Sequence, residues 1–111
     1  MSRKSFEVSL TPAADRDLDD IYRNVAERGS FDEADALIGS LIDRAQAVST
    51  FPERGVVPQE LDAVGKRQYR QVFVPPYRII YRRIGDMVFV YLIADGRRDM
   101  RTLLHHRQLS S

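Results

Sequence analysis

Apolar and polar positions change their spacing twice along the chain, and this spacing predicts the order of its elements. Over residues 4–10, Phe6, Val8 and Leu10 alternate with polar residues, which predicts a half-buried β-strand. From residue 12 to residue 48, apolar residues recur every three or four positions, as they do along one face of a helix. The period then returns to two, which predicts three further strands over residues 68–74, 77–83 and 87–94.

The helical region divides into two helices at a glycine. The first helix is predicted over residues 12–28, because Thr11 suits the N-cap, the proline after it is tolerated in the first turn, and Gly29 ends the helix. Ser30 or Asp32 then caps the second helix. The short connection favours an antiparallel hairpin. The apolar stripes are Ala14, Leu18, Ile21, Tyr22 and Val25 in the first helix, and Ala34, Leu37, Ile38, Leu41, Ile42, Ala45 and Val48 in the second.

An irregular segment separates the helices from the later strands. The sequence Phe-Pro-Glu-Arg-Gly at residues 51–55 ends the second helix, and no period follows until Lys66. A segment of this length in a small domain is often functional or mobile. Pro75-Pro76 predicts a break between the first two later strands, and Gly85-Asp86 predicts a two-residue hairpin turn. A short helix is predicted over residues 100–106.

These elements predict an α+β fold with the order β-α-α-β-β-β. The three hairpin-linked strands are expected to form an antiparallel sheet, which the first strand joins, and the helical hairpin is expected to cover one face of it. The other face is expected to be bare and to carry Arg70, Arg78, Arg82 and aromatic rings. The whole chain, residues 1–111, is expected to form one domain.

Composition narrows the class of protein. Hydrophobic residues make up 43% of the chain and charged residues 30%, which is typical of a soluble globular domain. No apolar run approaches the roughly 20 residues that span a bilayer, and no export signal is recognisable, so we expect a cytoplasmic protein without a membrane partner. The absence of cysteine excludes disulfides, thiol nucleophiles and cysteine-ligated metals.

Charge is distributed unevenly along the chain although the net charge is only +1. Residues 1–66 contain 8 Lys or Arg and 13 Asp or Glu, whereas residues 67–111 contain 9 Arg and 3 Asp. Arginine is the side chain whose planar fork best binds carboxylate and phosphate groups. The second half is therefore expected to bind an acidic partner, either nucleic acid or an acidic protein segment. The alternative is that these arginines only keep the strand faces solvated.

Metal and cofactor sites are not expected. Residues 15–20 have alternating carboxylates like a calcium loop, but Asp20 and Ala26 occupy the positions of the required glycine and bidentate glutamate. His105 and His106 are the only histidines, and on a helix they point about 100° apart, so both cannot serve one metal. Glycine-rich phosphate loops and a hydrolase serine motif are also absent from the sequence.

The remaining candidate chemistry is a set of arginines and tyrosines in the later strands. Strand alternation places Arg78, Ile80 and Arg82 on one face. Arginines from three strand ends are expected to converge on one anionic group, which would suit either a metal-free ribonuclease or a docking surface for an acidic segment. The candidate binding residues are Arg70, Tyr77, Arg78, Arg82, Arg97, Arg98 and Arg101.

The ordered set of motifs resembles the ParE/RelE superfamily of type II toxin–antitoxin toxins over nearly the whole chain. The matching pieces are TPAADRDL at 11–18, FPERG at 51–55, YRIIY at 77–81, DMVFV at 86–90 and GRRD at 96–99, followed by Leu103-Leu104 and Arg107. The resemblance implies a microbial RNase-like fold and neutralisation by a cognate antitoxin. That antitoxin would be a ribbon–helix–helix, ParD-like dimer that forms a hetero-oligomer with the toxin.

Two branches of this superfamily differ in target. RelE-like members cleave mRNA on the ribosome without a metal, whereas ParE-like members inhibit DNA gyrase and have no enzymatic site. By position, the RelE strand and late arginines fall on Arg78 and Arg98, and its two strand lysines fall on Arg70 and Val72. Its late aromatic falls on Leu104, which can neither transfer a proton nor stack on a base. The resemblance therefore favours the ParE branch, with growth inhibition and plasmid stabilisation as its expected roles.

Two alternatives remain open at this point. The first is a RelE-like ribonuclease that uses Arg70, Arg78, Arg98 and His105, the histidine one residue beyond the missing aromatic. The second is an inactive toxin relic or plain interaction module. For the gyrase inhibitor, the basic tail over residues 97–107 is the expected contact with the target.

Overall fold

The computed structural model describes residues 5–107 and residue 109. The predicted elements are confirmed, and the ends of the first and last predicted helices agree to the residue. A further short helix lies in the segment that was expected to be irregular, and residue 4, the expected start of the first strand, lies outside the described residues. The elements are β1 (Glu7–Leu10), α1 (Pro12–Arg28), α2 (Phe31–Ala47), α3 (Gln59–Asp62), β2 (Tyr69–Val74), β3 (Tyr77–Ile84), β4 (Met87–Asp95) and α4 (Met100–His106).

Side-chain caps fix the ends of the helical hairpin. The Thr11 hydroxyl accepts from the Ala14 N–H at 3.2 Å, and Pro12 opens α1. The Ser30 hydroxyl accepts from the Glu33 N–H at 3.0 Å, so the second cap is Ser30 and not Asp32. Each of these bonds satisfies an amide that the helix leaves without an internal partner.

The sheet has the order β1-β4-β3-β2 and is mixed. The strands β2, β3 and β4 are antiparallel as predicted, but β1 lies parallel to β4, with Leu10 opposite Val90. The α+β fold is confirmed, whereas the expectation of a wholly antiparallel sheet is wrong. The physical reason is that β1 is joined to the sheet through two helices, and a long crossover does not impose the antiparallel direction that a tight turn imposes.

Both faces of the sheet are covered. The hairpin of α1 and α2 packs on one face, over Val72, Ile79, Tyr81, Val88 and Val90. The other face was expected to be bare, and this expectation is wrong, because the short helix α3 and the chain after β4 pack against it. This second cluster consists of Leu61, Tyr69, Ile80, Leu92, Ala94, Met100, Leu104 and Leu109.

A charged pair joins α1 to the residue after α4, beside β4. The pairing of β3 with β4 shifts after Ile80, and this bulge leaves Tyr91 without a partner in the register. The Arg107 guanidinium donates to the Tyr91 carbonyl at 2.7 Å and also binds the Asp17 carboxylate of α1. The same carboxylate accepts from the Ile93 N–H at 3.0 Å, beyond the last residue that β1 pairs with. Arg107 and Asp17 therefore satisfy backbone groups that the bulge and the short β1 expose.

Replacing Arg107 by alanine is expected to lower the free energy of unfolding by about 1–3 kcal/mol, because it leaves the Asp17 carboxylate and the Tyr91 carbonyl without this donor. Urea denaturation followed by circular dichroism measures the change. Arg23→Ala is the matched control, since Arg23 and Asp20 form an exposed pair at 3.6 Å that should contribute less than about 0.5 kcal/mol. Equal midpoints for both variants would contradict the role given to Arg107.

Candidate functional site

The Arg78 guanidinium is held by three hydrogen bonds on the second face of the sheet. Its two terminal nitrogens donate to the two carboxylate oxygens of Glu60 at 2.9 and 2.7 Å, and its Nε donates to Gln71 Oε1 at 2.6 Å. The Arg78 side chain is only 12% exposed and that of Glu60 only 26% exposed. A bidentate, largely buried pair of this kind has strong geometric requirements, and it fixes α3 on β3.

Close packing at the end of β4 completes the surroundings of Arg78. A Cβ at Gly96 would lie 2.7 Å from Arg78 Cδ and 3.2 Å from the Pro76 carbonyl oxygen. The Gly96 N–H donates to that same carbonyl at 2.8 Å. Glycine is required here because the arginine side chain crosses directly over the backbone, a reason that the sequence did not reveal.

The Glu60 carboxyl is shifted toward its charged form. The hydrogen bond from Arg78 lowers the pKa of Glu60 below its usual value of 4.5, partial burial opposes this shift, and the charges of Arg78 and Arg101 add to it. Glu60 therefore stays ionised and keeps Arg78 occupied at neutral pH.

Arg70 lies on the other face of the sheet from Arg78. It is opposite Tyr81 in the β2–β3 register, and it donates to the Gly55 carbonyl at 2.8 Å. The Tyr81 hydroxyl donates to the Pro52 carbonyl at 2.7 Å and accepts from the Gly55 N–H at 3.1 Å. Arg70 and Tyr81 thus hold the segment after α2, where Arg70 and Arg83 both contact the Glu53 carboxylate. The expected convergence of Arg70 with Arg78 and Arg82 is not found.

Arg82 shares the face of Arg78, as predicted, but packs on an aromatic ring. Its guanidinium carbon lies 5.7 Å from the centre of the Tyr69 ring, which is fully buried. The arrangement is a cation–π contact. Like Arg78, Arg82 contacts a buried part of its own chain.

Three exposed arginines lie together after β4. The Arg97 side chain is 78% exposed and binds Asp95 at 2.6 Å, while Arg98 and Arg101 are exposed and follow it closely in the chain. We call Arg97, Arg98 and Arg101 the cationic corner. Arg97 and Arg98, together with Tyr77 and Arg28, line an open cavity of 420 Å³ between the end of α1 and the end of β4. Four carboxylates, those of Asp17, Asp20, Glu33 and Asp95, line the same cavity.

The late positions of the chain do not complete a catalytic set. Leu104, at the position of the RelE aromatic, is 5% exposed in the second apolar cluster. His105 and His106 are exposed and line a separate cavity with Lys66, Leu104 and Leu109, which contains neither Arg78 nor Arg98. The structure therefore does not bring His105 into one cavity with either arginine.

Within residues 5–107 and 109, no group of three or more histidine or carboxylate side chains is placed to hold a metal ion. No helix in the described part of the chain is long and apolar enough to cross a bilayer.

Comparison with known proteins identifies the family. The family model of the ParE toxin of type II toxin–antitoxin systems, parDE, matches residues 8–100, which is most of the chain. The chain belongs to the ParE toxin family. No curated protein matches it by sequence.

A solved structure shares the fold of this ParE-family toxin. It is described as the chromosomal ParDE TA system from P. aeruginosa, with a TM-score of 0.71 and 17% sequence identity over 83% of this chain and 97% of that chain. At this identity the likeness concerns the fold alone. It agrees with the arrangement of two helices on a four-stranded sheet that the sequence pattern predicted.

The pH dependence of stability tests the state of Glu60. Because its pKa is lower in the folded protein than in the unfolded chain, Glu60 stabilises the fold above its usual pKa of 4.5 and loses this effect as the pH falls through its folded pKa. Glu60→Gln should be less stable than the wild type by about 1–3 kcal/mol at neutral pH. The difference should shrink as the pH falls below 4.5.

Urea denaturation of the ParE-family toxin at several pH values measures this difference. Asp62→Asn is the control, because Asp62 pairs with Arg67 at the surface, where the two side chains are 48% and 68% exposed. If the difference in free energy of unfolding between Glu60→Gln and the wild type is the same at every pH, the ion pair of Glu60 and Arg78 does not determine how acid lowers the stability.

Proposed function

We propose that this ParE-family toxin acts in the cytoplasm as a binding inhibitor of DNA gyrase and is not itself an enzyme. Family membership supports the toxin role, and the environment of Arg78 supports the non-catalytic branch. A ribonuclease would need Arg78 free to stabilise charge on a phosphate in the transition state. Here, Glu60 and Gln71 already occupy the guanidinium.

The missing proton-transfer group adds to this argument. The buried side chain of Leu104 cannot act as a general acid or base. Without a proton-transfer group at this position, the rate of RNA cleavage would fall by roughly 10²–10⁴. The exposed His105 lies in a cavity apart from Arg78 and Arg98. The RelE-like activity therefore remains the weaker proposal.

We assign the cationic corner, with Tyr77, to the antitoxin. A ParD-like, ribbon–helix–helix antitoxin is expected to present a disordered acidic and apolar segment that folds as it binds. The exposed guanidinium groups of Arg98 and Arg101 suit the acidic side chains of such a segment, and the half-buried Tyr77 suits its apolar ones. The carboxylates that line the cavity beside them leave the charge contact to these arginines. Arg70, Arg78 and Arg82 are proposed to act through the fold, because each is at least partly buried and contacts a group of its own chain. Arg97 also pairs with a carboxylate, that of Asp95, but its side chain is 78% exposed, so Arg98 and Arg101 are expected to contribute most to binding.

A supercoiling assay tests the proposed target. Purified toxin, relaxed plasmid, ATP and DNA gyrase are combined, and a ribosome-dependent mRNA cleavage assay is run beside it. The expected result is loss of supercoiling with accumulation of cleaved DNA and intact mRNA. Cleaved mRNA with unaffected gyrase would establish the RelE-like alternative instead. Harmless expression at high level without an antitoxin would favour an inactive relic.

Replacement of Arg97, Arg98 and Arg101 by alanine tests the antitoxin surface. Three exposed charges should together weaken binding of the cognate antitoxin by about tenfold, more at low salt, as measured by calorimetry. A triple variant of Arg16, Arg23 and Arg44, which are exposed on the helical hairpin, is the control for loss of charge alone. Equal losses in both variants would show that net charge, and not the cationic corner, determines affinity.

A further inference from the structure

An exposed phenylalanine stands at the turn of the helical hairpin. Phe31 is the first residue of α2, and 71% of its surface is exposed, the largest exposed fraction among the large apolar residues described. The Ser30 cap that starts α2 does not use the Phe31 side chain. The ring therefore has no evident part in folding, although a single exposed apolar residue is not unusual by itself.

Phe31 forms one wall of an open cavity on the outward side of α1. The cavity has a volume of 630 Å³ and is lined by Asp19, Tyr22, Arg23, Ala26, Glu27 and Phe31. Ala14 and Leu18 mark the core-facing side of the same helix. Tyr22, which belongs to the same predicted stripe, lies at the edge of that side and lines the cavity. The Asp35 carboxylate of α2 raises the pKa of Tyr22. The Tyr22 ring, Ala26 and Phe31 thus provide apolar surface that the rest of the described chain leaves open.

Acidic groups surround this apolar surface. Asp19 and Glu27 line the cavity, and Asp32 and Asp35 are exposed on the first turns of α2 beside Phe31. The one lining cation, Arg23, is next to Asp20 at 3.6 Å. Over residues 12–47 the sequence has 9 acidic and 4 basic side chains. A partner of complementary charge must carry lysine or arginine around an apolar side chain.

We infer that this cavity, the hairpin cavity, is the surface through which the toxin binds its target. The inference rests on the proposed function, in which the target is DNA gyrase. An enzyme that binds DNA must present lysine and arginine to the phosphates. Lysines and arginines of that enzyme that the bound DNA leaves uncovered would be repelled by the cationic corner and attracted by the acidic groups around the hairpin cavity. The two partners of the toxin, one acidic and one basic, thus bind two different surfaces.

A second copy of this chain is a less suitable occupant. In a two-fold symmetric dimer across the hairpin cavity, the same acidic residues would face each other from both subunits. Like charges brought together in this way destabilise an interface. The charge pattern therefore favours a basic partner.

Phe31→Ser tests the inference directly. The variant should need at least about tenfold more toxin for half-maximal inhibition of gyrase supercoiling, since a central aromatic side chain often dominates binding. Ile42→Ser is the matched control, because Ile42 is exposed on α2 but does not line the hairpin cavity. Circular dichroism and thermal unfolding should be unchanged for both variants. Asp19→Asn with Glu27→Gln should weaken inhibition at low salt more than at high salt.

The outcomes separate the two proposals. If the wild-type toxin does not inhibit gyrase, the proposed function is wrong and the inference is overturned with it. If the wild type inhibits and Phe31→Ser inhibits equally well, only the inference is overturned. Loss of inhibition in the variant of Arg97, Arg98 and Arg101, with none in Phe31→Ser, would instead place the target on the basic tail. Sedimentation that shows a wild-type dimer dissociated by Phe31→Ser, with inhibition unchanged, would also overturn the inference.

Discussion

A four-stranded sheet with apolar residues on both faces needs two covering layers, and the helical hairpin supplies only one. The second layer is built from α3, α4 and Leu109, and none of these is long enough to be stable alone. Polar contacts fix each piece to the rest of the fold. Glu60 of α3 binds Arg78 of the sheet, Lys66 donates to the Leu109 carbonyl at 2.9 Å, and Arg107 after α4 binds Asp17 of α1.

The need to hold this second layer on the sheet accounts for several of the arginines in residues 67–111. Arg78, Arg82 and Arg107 all contact groups of the fold, so their number does not measure the charge offered to a partner. A guanidinium already bound by a carboxylate has lost most of its ability to bind a phosphate, because a new anion would have to displace the first. Among the exposed arginines described after residue 66, Arg67, Arg83 and Arg97 each pair with a carboxylate. Arg98 and Arg101 form no such ion pair within the described residues. The functional argument depends on this distinction between arginines that bind groups of the fold and arginines that are exposed to a partner.

Local signals predicted the parts of the fold that local interactions determine. Thr11, Ser30 and Gly29 act within one helical turn, so the limits of α1 follow from the sequence. The direction of β1 depends on a crossover, and α3 is a single turn too short to show a period, so neither was predictable from spacing. The motif around Glu60 contained no sign that its carboxylate would meet Arg78, 18 residues later.

The site was predicted less completely than the fold, because its contacts join residues that are distant in the sequence. Strand alternation correctly placed Arg78 and Arg82 on one face, but it gave no indication of their partners. It was applied to Arg70 without the register of β2 against β3, and the register places that side chain on the other face. Phe31 was missed because an exposed apolar residue is recognised only by comparison with the buried stripe of its own helix.

The two proposed surfaces lie on either side of one turn. Arg28, Gly29 and Glu33 line the cavity beside the cationic corner, whereas Glu27 and Phe31 line the hairpin cavity. On these two proposals, residues adjacent in the chain face two different partners of opposite charge. An antitoxin segment bound beside Arg28 would lie within a few residues of Phe31, where its bulk could block a large target. Neutralisation would then follow from exclusion, without a change in the structure of the toxin.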